Sequence, residues 1–376
     1  MWSKRINGED PAETFPAIPD LVVVFGPTDR LADGGLTDRL MSSCGDAIVI
    51  GCSSGTMVDG DGLDDDAVVL LGMGFERTKL ALAVQPLPSA DGSFAAGAAI
   101  GMDLADDSLS AIFVLSNGLN VNGSALVAGI RSGTGDAVLL SGGLAGDGAR
   151  FGDTRILAGG DCLSNAVAAI GFYGEHVRLA HGSAGEWQPF GPVRTISDAN
   201  GAELCRLDHE PALALYERYL GDEAADLPAS GLLYPLEIWD PAKPDDRVVR
   251  TLLAIDRDRG TLTFAGDMPQ GWKARLMRGI FDDLVDGAST AAQHALHQAS
   301  TWGVAPSACL AISCVGRRLL MGQRTEEEIA AVAAALHPNI ALAGFYSYGE
   351  IAPQNVTGVP CLHNQTMTIT LIGERV

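Results

Sequence analysis

The sequence predicts an α/β mixed (α+β) protein with two domains, in which mixed, partly antiparallel β-sheets are flanked by helices. Two apolar runs at 248–255 and 261–264 flank a turn at 256–260, which is typical of a β-hairpin. Three further strand-like runs are joined by Gly- and Asp-rich turns, at 155–157, 166–172 and 176–179. Such short turns indicate antiparallel pairing, and helical patterns alternate with the strands. A doubly wound parallel sheet is therefore disfavoured.

Residues 1–19 are predicted to form an N-terminal tail and residues 20–221 a first domain. Gly26-Pro27 ends the first apolar run of this domain, as a strand-breaking turn does. Pro211 and Gly221 bracket a helix, because Pro fits the first helical turn and Gly the position after the last. The strands predicted here span 21–25, 47–50, 67–72, 79–84, 109–115 and 137–140, and the helices span 36–44, 124–130 and 212–220.

Residues 222–376 are predicted to form the second domain, because 222–231 is acidic and rich in small residues, as domain boundaries often are. Thr325 and Glu328 form a capping box that opens a helix over 326–337. The other elements predicted are helices at 272–285 and 290–302, and strands at 309–314, 340–343 and 367–372.

A faint internal similarity relates residues 169–175 to residues 343–350. In both, an apolar strand ends in Gly-Phe-Tyr and reaches a Glu within a few residues. Duplication of a half-domain and chance similarity between strand ends both explain it.

Charge and composition exclude several classes of protein. The chain of 376 residues carries 25 Lys and Arg against 47 Asp and Glu, a net charge of −22. A protein that binds nucleic acids or anionic membranes needs a surplus of basic residues, which this chain lacks, so neither is an expected partner. No apolar run has the length of a signal peptide or a membrane span. With seven cysteines and no Cys-x-x-Cys pair, we expect a reduced, cytoplasmic protein without disulfides.

Three glycine- or acid-rich motifs resemble known sites but lack essential parts. Ser53 lies in a Gly-x-Ser-x-Gly motif, yet the residues after it are a poor helix start, so a glycine-rich turn facing a cleft is favoured over a nucleophile elbow. The acidic run 59–66 lacks the ligand pattern of an EF-hand. Gly143 lies in a loop at 141–148 without the Walker lysine or a Gly-x-Gly-x-x-Gly spacing. No metal and no cofactor are therefore expected, and Ser53 and Gly143 remain candidate ligand contacts.

The C-terminal strand ends carry the most side chains suited to chemistry. Cys314 and Arg317 follow one apolar strand, and Tyr346, Tyr348 and Glu350 follow another. Arg is the usual fork for a carboxylate, and Tyr offers a flat apolar face with one hydroxyl. Arg317 and Glu350 form either a ligand site or a structural ion pair, and both hypotheses stay open.

His363 and Asn364 precede the last predicted strand and are further candidate ligand-binding residues. Loops after neighbouring strands meet at one edge of a sheet, so we expect Arg317, Tyr348 and Glu350 to converge on one cleft with Cys314 at its floor.

Several of these motifs together resemble the FIST domain family, in both its N-terminal and C-terminal regions. On the N-terminal side the resemblance rests on the segments at 49–54, 141–147 and 201–221, and on the C-terminal side on 314–317, 344–350 and 363–366. It covers about residues 20 to 376. The resemblance implies a sensory module of signal transduction that binds small ligands such as amino acids. Because no kinase, chemotaxis, cyclase or F-box segment is recognisable, we expect a separate signalling partner or a homo-oligomer.

Two classes of function follow from this site. The first is a binding module that holds a carboxylate-bearing small molecule in a cleft between the two domains. The alternative is a cofactor-independent enzyme, for example a decarboxylase (a lyase) acting on an aromatic or other small carboxylic acid. Arg317 would then place the carboxylate, a Tyr would hold a phenolic oxygen, and buried Glu350 would deliver a proton. A third hypothesis is covalent chemistry at Cys314, with its thiolate favoured by Arg317.

Overall fold

The strands of this protein form four sheets in a computed structural model that describes residues 1–6, 15–354 and 357–375. Three of the sheets have six strands each and the same sequence of strand directions. Each of these three sheets belongs mainly to one segment of the chain, which we call units 1, 2 and 3. The fourth, called the inserted sheet, interrupts unit 3.

Unit 1 begins with a strand that lies within the predicted N-terminal tail. Its elements are β1 (Trp2–Ile6), β2 (Leu21–Gly26), α1 (Thr28–Ala32), α2 (Gly34–Cys44), β3 (Ile48–Ser53), β4 (Met57–Asp59), β5 (Gly62–Asp64) and β6 (Val68–Met73). The Asp33 side chain caps α2 by accepting a hydrogen bond from the Gly35 N–H. Residues 7–14 of the predicted tail lie outside the described residues.

Unit 2 repeats this order of strands, with a helix between its first two strands. Its elements are β7 (Lys79–Pro86), α3 (Ser93–Leu104), β8 (Leu109–Ser116), α4 (Gly123–Thr134), β9 (Leu139–Leu144), β10 (Ile156–Ala158), β11 (Asp161–Leu163) and β12 (Ala166–Tyr173). The Asn122 side chain caps α4 through the Ala125 N–H at 3.0 Å.

Unit 3 starts with β13 (Val177–Ala184) and is then interrupted by the inserted sheet. The insertion comprises β14 (Gln188–Pro189), β15 (Arg194–Asn200), β16 (Glu203–Leu207), β17 (Glu210–Pro211), α5 (Ala212–Leu220), β18 (Leu236–Trp239), β19 (Arg247–Arg250), β20 (Leu252–Asp256), β21 (Thr261–Phe264) and β22 (Lys273–Arg278). Unit 3 then continues with α6 (Phe281–Ala299), β23 (Ala308–Cys314), α7 (Val315–Met321), α8 (Thr325–Ala335), β24 (Ala341–Ser347), β25 (Gly349–Pro353), β26 (Pro360–His363) and β27 (Met367–Glu374).

The three six-stranded sheets exchange hairpins in a closed cycle. Their strand orders are β1-β6-β2-β3-β10-β11, β7-β12-β8-β9-β25-β26 and β13-β27-β23-β24-β4-β5. In each sheet the two central strands run parallel, and every other neighbouring pair runs antiparallel. The last two strands of each sheet come from a different unit, so unit 1 completes the sheet of unit 3, unit 3 that of unit 2, and unit 2 that of unit 1. This exchange ties the three units into one body.

A glycine occupies the same place in each central parallel pair. Gly51, Gly142 and Gly344 lie beside the preceding strand at matching register positions. A Cβ atom on them would lie 2.4, 1.8 and 1.7 Å from a carbonyl oxygen of that strand. Only a residue without a side chain allows this close approach. The shared requirement supports the equivalence of the three units.

The inner faces of the three sheets share one apolar core, and helices cover the outer faces. Phe25, Phe113, Ile312 and Phe345 are among the side chains of the shared core. The outer faces pack on α2 in unit 1, on α3 and α4 in unit 2, and on α6 and α8 in unit 3. The central strands are therefore buried on both sides, which explains their continuous apolar runs. The inserted sheet has its own core, formed against α5.

The predicted fold class is confirmed: the chain is α+β with mixed sheets and flanking helices. The hairpin predicted around 256–260 is formed by β20 and β21. The predicted domain boundary after residue 221 falls within the inserted sheet, because strands on both sides of it belong to that sheet. The division into domains 20–221 and 222–376 therefore stays a prediction. The internal similarity between 169–175 and 343–350 joins β12 to β24, which hold different places in their sheets. It is therefore not the repeat seen in the fold.

The helix predicted over 272–285 is wrong in its first half. Lys273–Arg278 is a strand, because Ala274 and Leu276 alternate inward with period two and Gly279 follows them. The real helix α6 runs through the break that separated the two predicted helices. Gly287 lies inside α6, where a Cβ would approach the Glu186 side chain to 3.0 Å. This glycine serves close packing rather than a helix end.

Candidate functional site

The ends of the second central strands meet at the middle of the three units. The Gly146 N–H donates to the Ser53 carbonyl at 2.9 Å, and the Tyr348 N–H donates to the Leu144 carbonyl at 3.1 Å. The cycle closes where the Ser54 hydroxyl donates to the Tyr346 carbonyl at 2.9 Å. Two backbone hydrogen bonds and one from the Ser54 hydroxyl therefore link the three units at this centre.

Three clefts in the described part of the chain have volumes between about 350 and 640 Å³. One of about 350 Å³ lies at the end of β2, beside Thr28 and Asp147. A second of about 640 Å³ lies near α7, beside Arg318 and Asp65. The third, of about 460 Å³, lies at the end of β8 and is covered by the inserted sheet. We call it the inserted-sheet cleft.

Apolar side chains dominate the inserted-sheet cleft, and a few polar groups converge on it. The apolar lining includes Leu119, Val121, Leu144, Phe151, Leu232, Leu253, Phe264 and Leu362. The polar lining includes Asp91, Asn122, Asn200, Thr251, Cys314 and Tyr348. A concave, mainly apolar space with few polar groups is typical of small-molecule sites, as is its volume. Cys314 and Tyr348 were predicted from sequence, whereas the residues of the inserted sheet were not.

Tyr348 presents its ring to the cleft while its hydroxyl is occupied. The hydroxyl donates to the Asp147 carboxylate and lies 2.8 Å from the Gly148 carbonyl oxygen. The ring stacks on Phe151 with 4.7 Å between centroids. Burial, and next the hydrogen bond to Asp147, raise the pKa of Tyr348. Tyr348 can therefore offer an apolar surface to a ligand, but not a free phenolic proton.

Cys314 lines the cleft as a neutral thiol. Burial raises its pKa, and nearby Glu350 raises it further. Backbone N–H groups of Gln365 and Gly316 donate to its sulfur and lower the pKa, as does the charge of Arg317. These effects are smaller than that of burial. The hypothesis of a thiolate favoured by Arg317 has no support in this geometry.

Glu350 is fully buried behind the cleft rather than in its lining. Its carboxyl oxygens accept hydrogen bonds from the Ser347 hydroxyl at 2.7 Å and from the Thr366 hydroxyl at 2.9 Å. The Thr366 N–H donates to the same oxygen at 3.2 Å. Burial raises the pKa of Glu350 to about 8 in spite of these hydrogen bonds. Glu350 is thus mainly protonated at neutral pH.

Arg317 does not reach the cleft, which corrects the expected convergence. Its side chain is fully buried and pairs with Glu328 at 2.7 Å. It also donates to the Leu284 carbonyl at 2.7 Å and to the Gly185 carbonyl at 3.2 Å. The ion-pair hypothesis for Arg317 is therefore the better supported one, with Glu328 instead of Glu350 as its partner.

Tyr346 belongs to the same buried network and is not a cleft residue. Its hydroxyl donates to Glu328 at 2.6 Å, and the Ser313 hydroxyl donates to the same oxygen at 3.0 Å. Burial, followed by the charge of Glu328, raises the pKa of Tyr346 well above its usual value. Arg317 and Tyr346 thus hold α7, α8 and β24 together.

Ser53 and Gly143 have structural surroundings instead of an open site. The Ser53 hydroxyl donates to the Gly146 carbonyl at 2.8 Å and accepts from the Arg155 N–H at 2.9 Å. This leaves no proton for nucleophilic chemistry. A Cβ on Gly143 would lie 3.1 Å from the Phe345 ring, so this glycine allows core packing.

His363 is the last residue of β26 and Asn364 follows it, and neither residue lines the inserted-sheet cleft. His363 lines another cleft, of about 320 Å³, and its Nε2 lies 3.1 Å from the Ala352 carbonyl oxygen. Burial lowers the pKa of His363 to about 4, so its ring is neutral at pH 7. Asn364 is 1% exposed, and neither polar atom of its amide has a partner among the described residues. Its Nδ2 lies 3.5 Å from the position that a Cβ atom would occupy if Gly349 carried a side chain.

In the part of the chain that the structure describes, no three His, Cys, Asp or Glu side chains lie close enough to hold a metal ion. None of the helices described is both long and apolar enough to cross a membrane. The seven cysteines are unpaired.

The fold and the inserted-sheet cleft define an α+β protein of three similar units, in which an inserted sheet covers a cleft of ligand size. Comparison with models of known protein families identifies the family. The FIST N domain matches residues 20–210, and the FIST C domain matches residues 212–353. The chain therefore belongs to the FIST family, whose domains are generally small-ligand sensory domains.

Other comparisons add little. No curated protein matches the sequence at the required significance. Among solved structures, a cyanuric acid hydrolase from A. caulinodans is similar, at 14% identity over 80% of this chain and 99% of that chain, with a TM-score of 0.18. A TM-score this low carries no conclusion about fold or function.

Proposed function

We propose that this protein is a small-ligand sensory protein whose ligand is a small carboxylic acid with an apolar body, bound in the inserted-sheet cleft. The observation that carries the proposal is the cleft itself, which lies between the inserted sheet and the strand ends of units 2 and 3. A volume of about 460 Å³ falls within the range of small-molecule pockets. Family membership supports the same class of function.

Exposed apolar side chains at the cleft support an apolar ligand body. Phe151 and Leu253 both line it, and they are 45% and 50% exposed. Exposed apolar groups that converge on one concave surface are typical of binding sites, because a ligand removes them from water. The stacked rings of Phe151 and Tyr348 give such a ligand a flat surface to contact.

The location of the cleft suits a sensory role. A ligand there contacts both the inserted sheet and the three-unit body, so its binding free energy depends on how the two are held together. The signal would pass to a separate partner or to a second copy of the chain, as proposed from the sequence. The unpaired cysteines are compatible with the cytoplasmic location that we propose.

The enzyme alternative lacks support in the geometry. A decarboxylase of the predicted kind needs Arg317 to hold the substrate and Glu350 to deliver a proton. Both side chains are fully buried, and neither lines the cleft. Binding is therefore the function that we propose.

Ala202 allows a direct test, because it lies in the cleft lining and is only partly buried. We expect Ala202→Trp to fill the cleft and to weaken binding of the fluorescent apolar probe N-phenyl-1-naphthylamine by about tenfold or more, through loss of apolar contact area. The measurement is a fluorescence titration, with 4-phenylbutanoate as a competitor that displaces the probe from the unmodified protein.

Ala242→Trp is the matched control, since Ala242 is exposed on the same insertion but away from the cleft. It should bind the probe like the unmodified protein. Equal probe affinity in both variants would show that the probe binds elsewhere and would contradict the proposed site.

A further inference from the structure

Arg250 is a buried cation without an anionic partner. Its side chain is at the end of β19, and the residue is 6% exposed. It donates to three carbonyl oxygens, those of Asp267 at 3.3 Å, Val249 at 3.2 Å and Leu362 at 3.1 Å. No carboxylate among the described residues lies within ion-pair distance of it, and its Nη2 has no hydrogen bond to them. Arg317, also buried, has Glu328.

The groups around Arg250 neutralise its charge only in part. The Asp267 carboxylate accepts a hydrogen bond from the Asn122 amide at 2.9 Å, and its charge favours the protonated Arg250 without forming an ion pair with it. Burial raises the pKa of the Cys361 thiol to about 12, so this neighbour is neutral. An arginine stays protonated at neutral pH. A buried charge is costly unless an opposite charge accompanies it, so this place favours an anion.

Arg250 lies directly behind one wall of the inserted-sheet cleft. Thr251, Gly266 and Leu362 form that wall. A Cβ on Gly266 would lie 2.9 Å from Nε and 3.2 Å from Cζ of Arg250. The guanidinium therefore packs against the bare Cα of a cleft residue. The Thr251 hydroxyl is buried and has no partner among the described residues, so it is a second donor at the same wall.

We propose that the buried charge of Arg250 attracts the carboxylate of the ligand to the adjoining wall of the inserted-sheet cleft, and that the Thr251 hydroxyl in that wall donates a hydrogen bond to it. This inference rests on the proposed function and assigns to Arg250 the attraction of the carboxylate that the sequence had assigned to Arg317. The carboxylate lies at the wall formed by Thr251, Gly266 and Leu362. The apolar body extends toward Phe151 and Leu253 at the exposed side of the cleft.

The test compares two competitors of equal shape, 4-phenylbutanoate and 4-phenylbutanamide, which displace N-phenyl-1-naphthylamine. The unmodified protein should prefer the carboxylate by about ten- to a hundredfold, as expected for a hydrogen bond to a charged group. Arg250→Met should reduce this preference to about twofold or less, with unchanged affinity for the neutral amide. Arg247→Met is the control, because Arg247 is exposed on the same strand. It should keep the full preference.

Failure of this inference and failure of the proposed function give different results. If the probe does not bind, or binds equally to Ala202→Trp, the proposed function fails. If the probe binds in the cleft but the unmodified protein shows no preference for the carboxylate, only the proposed role of Arg250 is overturned. An undiminished preference for the carboxylate in Arg250→Met also overturns that role. Should Arg250→Met not fold, Arg250→Gln and Arg250→Lys replace it, with a lost preference expected for Gln and a retained, weaker one for Lys.

Discussion

Replacing Arg317 with alanine is expected to lower the free energy of unfolding by about 3–5 kcal/mol, the usual cost of breaking a buried ion pair from one side. The substitution leaves the Glu328 carboxylate buried without its cation. It also removes the donors that satisfy the Leu284 and Gly185 carbonyls. Urea denaturation followed by circular dichroism measures the loss. Probe affinity of the folded fraction should change little, since Arg317 does not line the inserted-sheet cleft.

Arg324→Ala serves as the control for this prediction. Arg324 also pairs with carboxylates, those of Glu327 and Asp282, but at the surface. Exposed ion pairs contribute little because water and salt screen them, so stability should hardly change. If Arg317→Ala were as stable as Arg324→Ala but had lost ligand binding, the ion-pair interpretation would be wrong and a ligand role for Arg317 would return.

The contrast between Arg317 and Arg250 shows where sequence reasoning reached its limit. The strand ending at Cys314 was predicted, but α7 after it was not, because a loop was expected after the strand. The helix carries Arg317 back toward Glu328, only 11 residues further on. Arg250 contacts Leu362, 112 residues away, across the edge of the inserted sheet. Nothing in the sequence near Arg250 indicates that contact.

The three-unit architecture was equally hidden. Strand positions follow from local apolar runs, and about half of the strands were predicted, but the exchanged strands β4, β5, β11, β25 and β26 were not. The shared feature of the sequence that we identify is one glycine in each central parallel pair, Gly51, Gly142 and Gly344, and a single glycine does not indicate a repeat. Each unit also gives its hairpin to another sheet, so neighbours in sequence are not neighbours in a sheet. Cys314 and Tyr348 could be predicted as cleft residues because both follow central strands, whereas the wall across the cleft is formed by an insertion.

Glu350→Gln is expected to change how stability depends on pH. The carboxyl of Glu350 has a pKa of about 8 in the folded protein against 4.5 as its usual value. The folded state therefore holds this proton more tightly than the unfolded state does. As pH rises above the unfolded pKa, the unfolded state ionises first, and stability falls until pH passes the folded pKa. Glutamine resembles the protonated side chain in shape, does not titrate, and should remove this loss.

The measurement is the free energy of unfolding of both proteins at about pH 5.5 and pH 8.5, obtained from urea titrations. The difference between Glu350→Gln and the unmodified protein should shift by about 3 kcal/mol in favour of the variant at the higher pH, as the pKa values of 4.5 and about 8 require. His363 and His181, whose pKa values burial lowers to about 4, titrate alike in both proteins and cancel in the difference. A difference that stays constant across this range would mean that Glu350 is already ionised in the folded protein. The buried hydroxyls of Ser347 and Thr366 would then be stabilising a carboxylate behind Cys314.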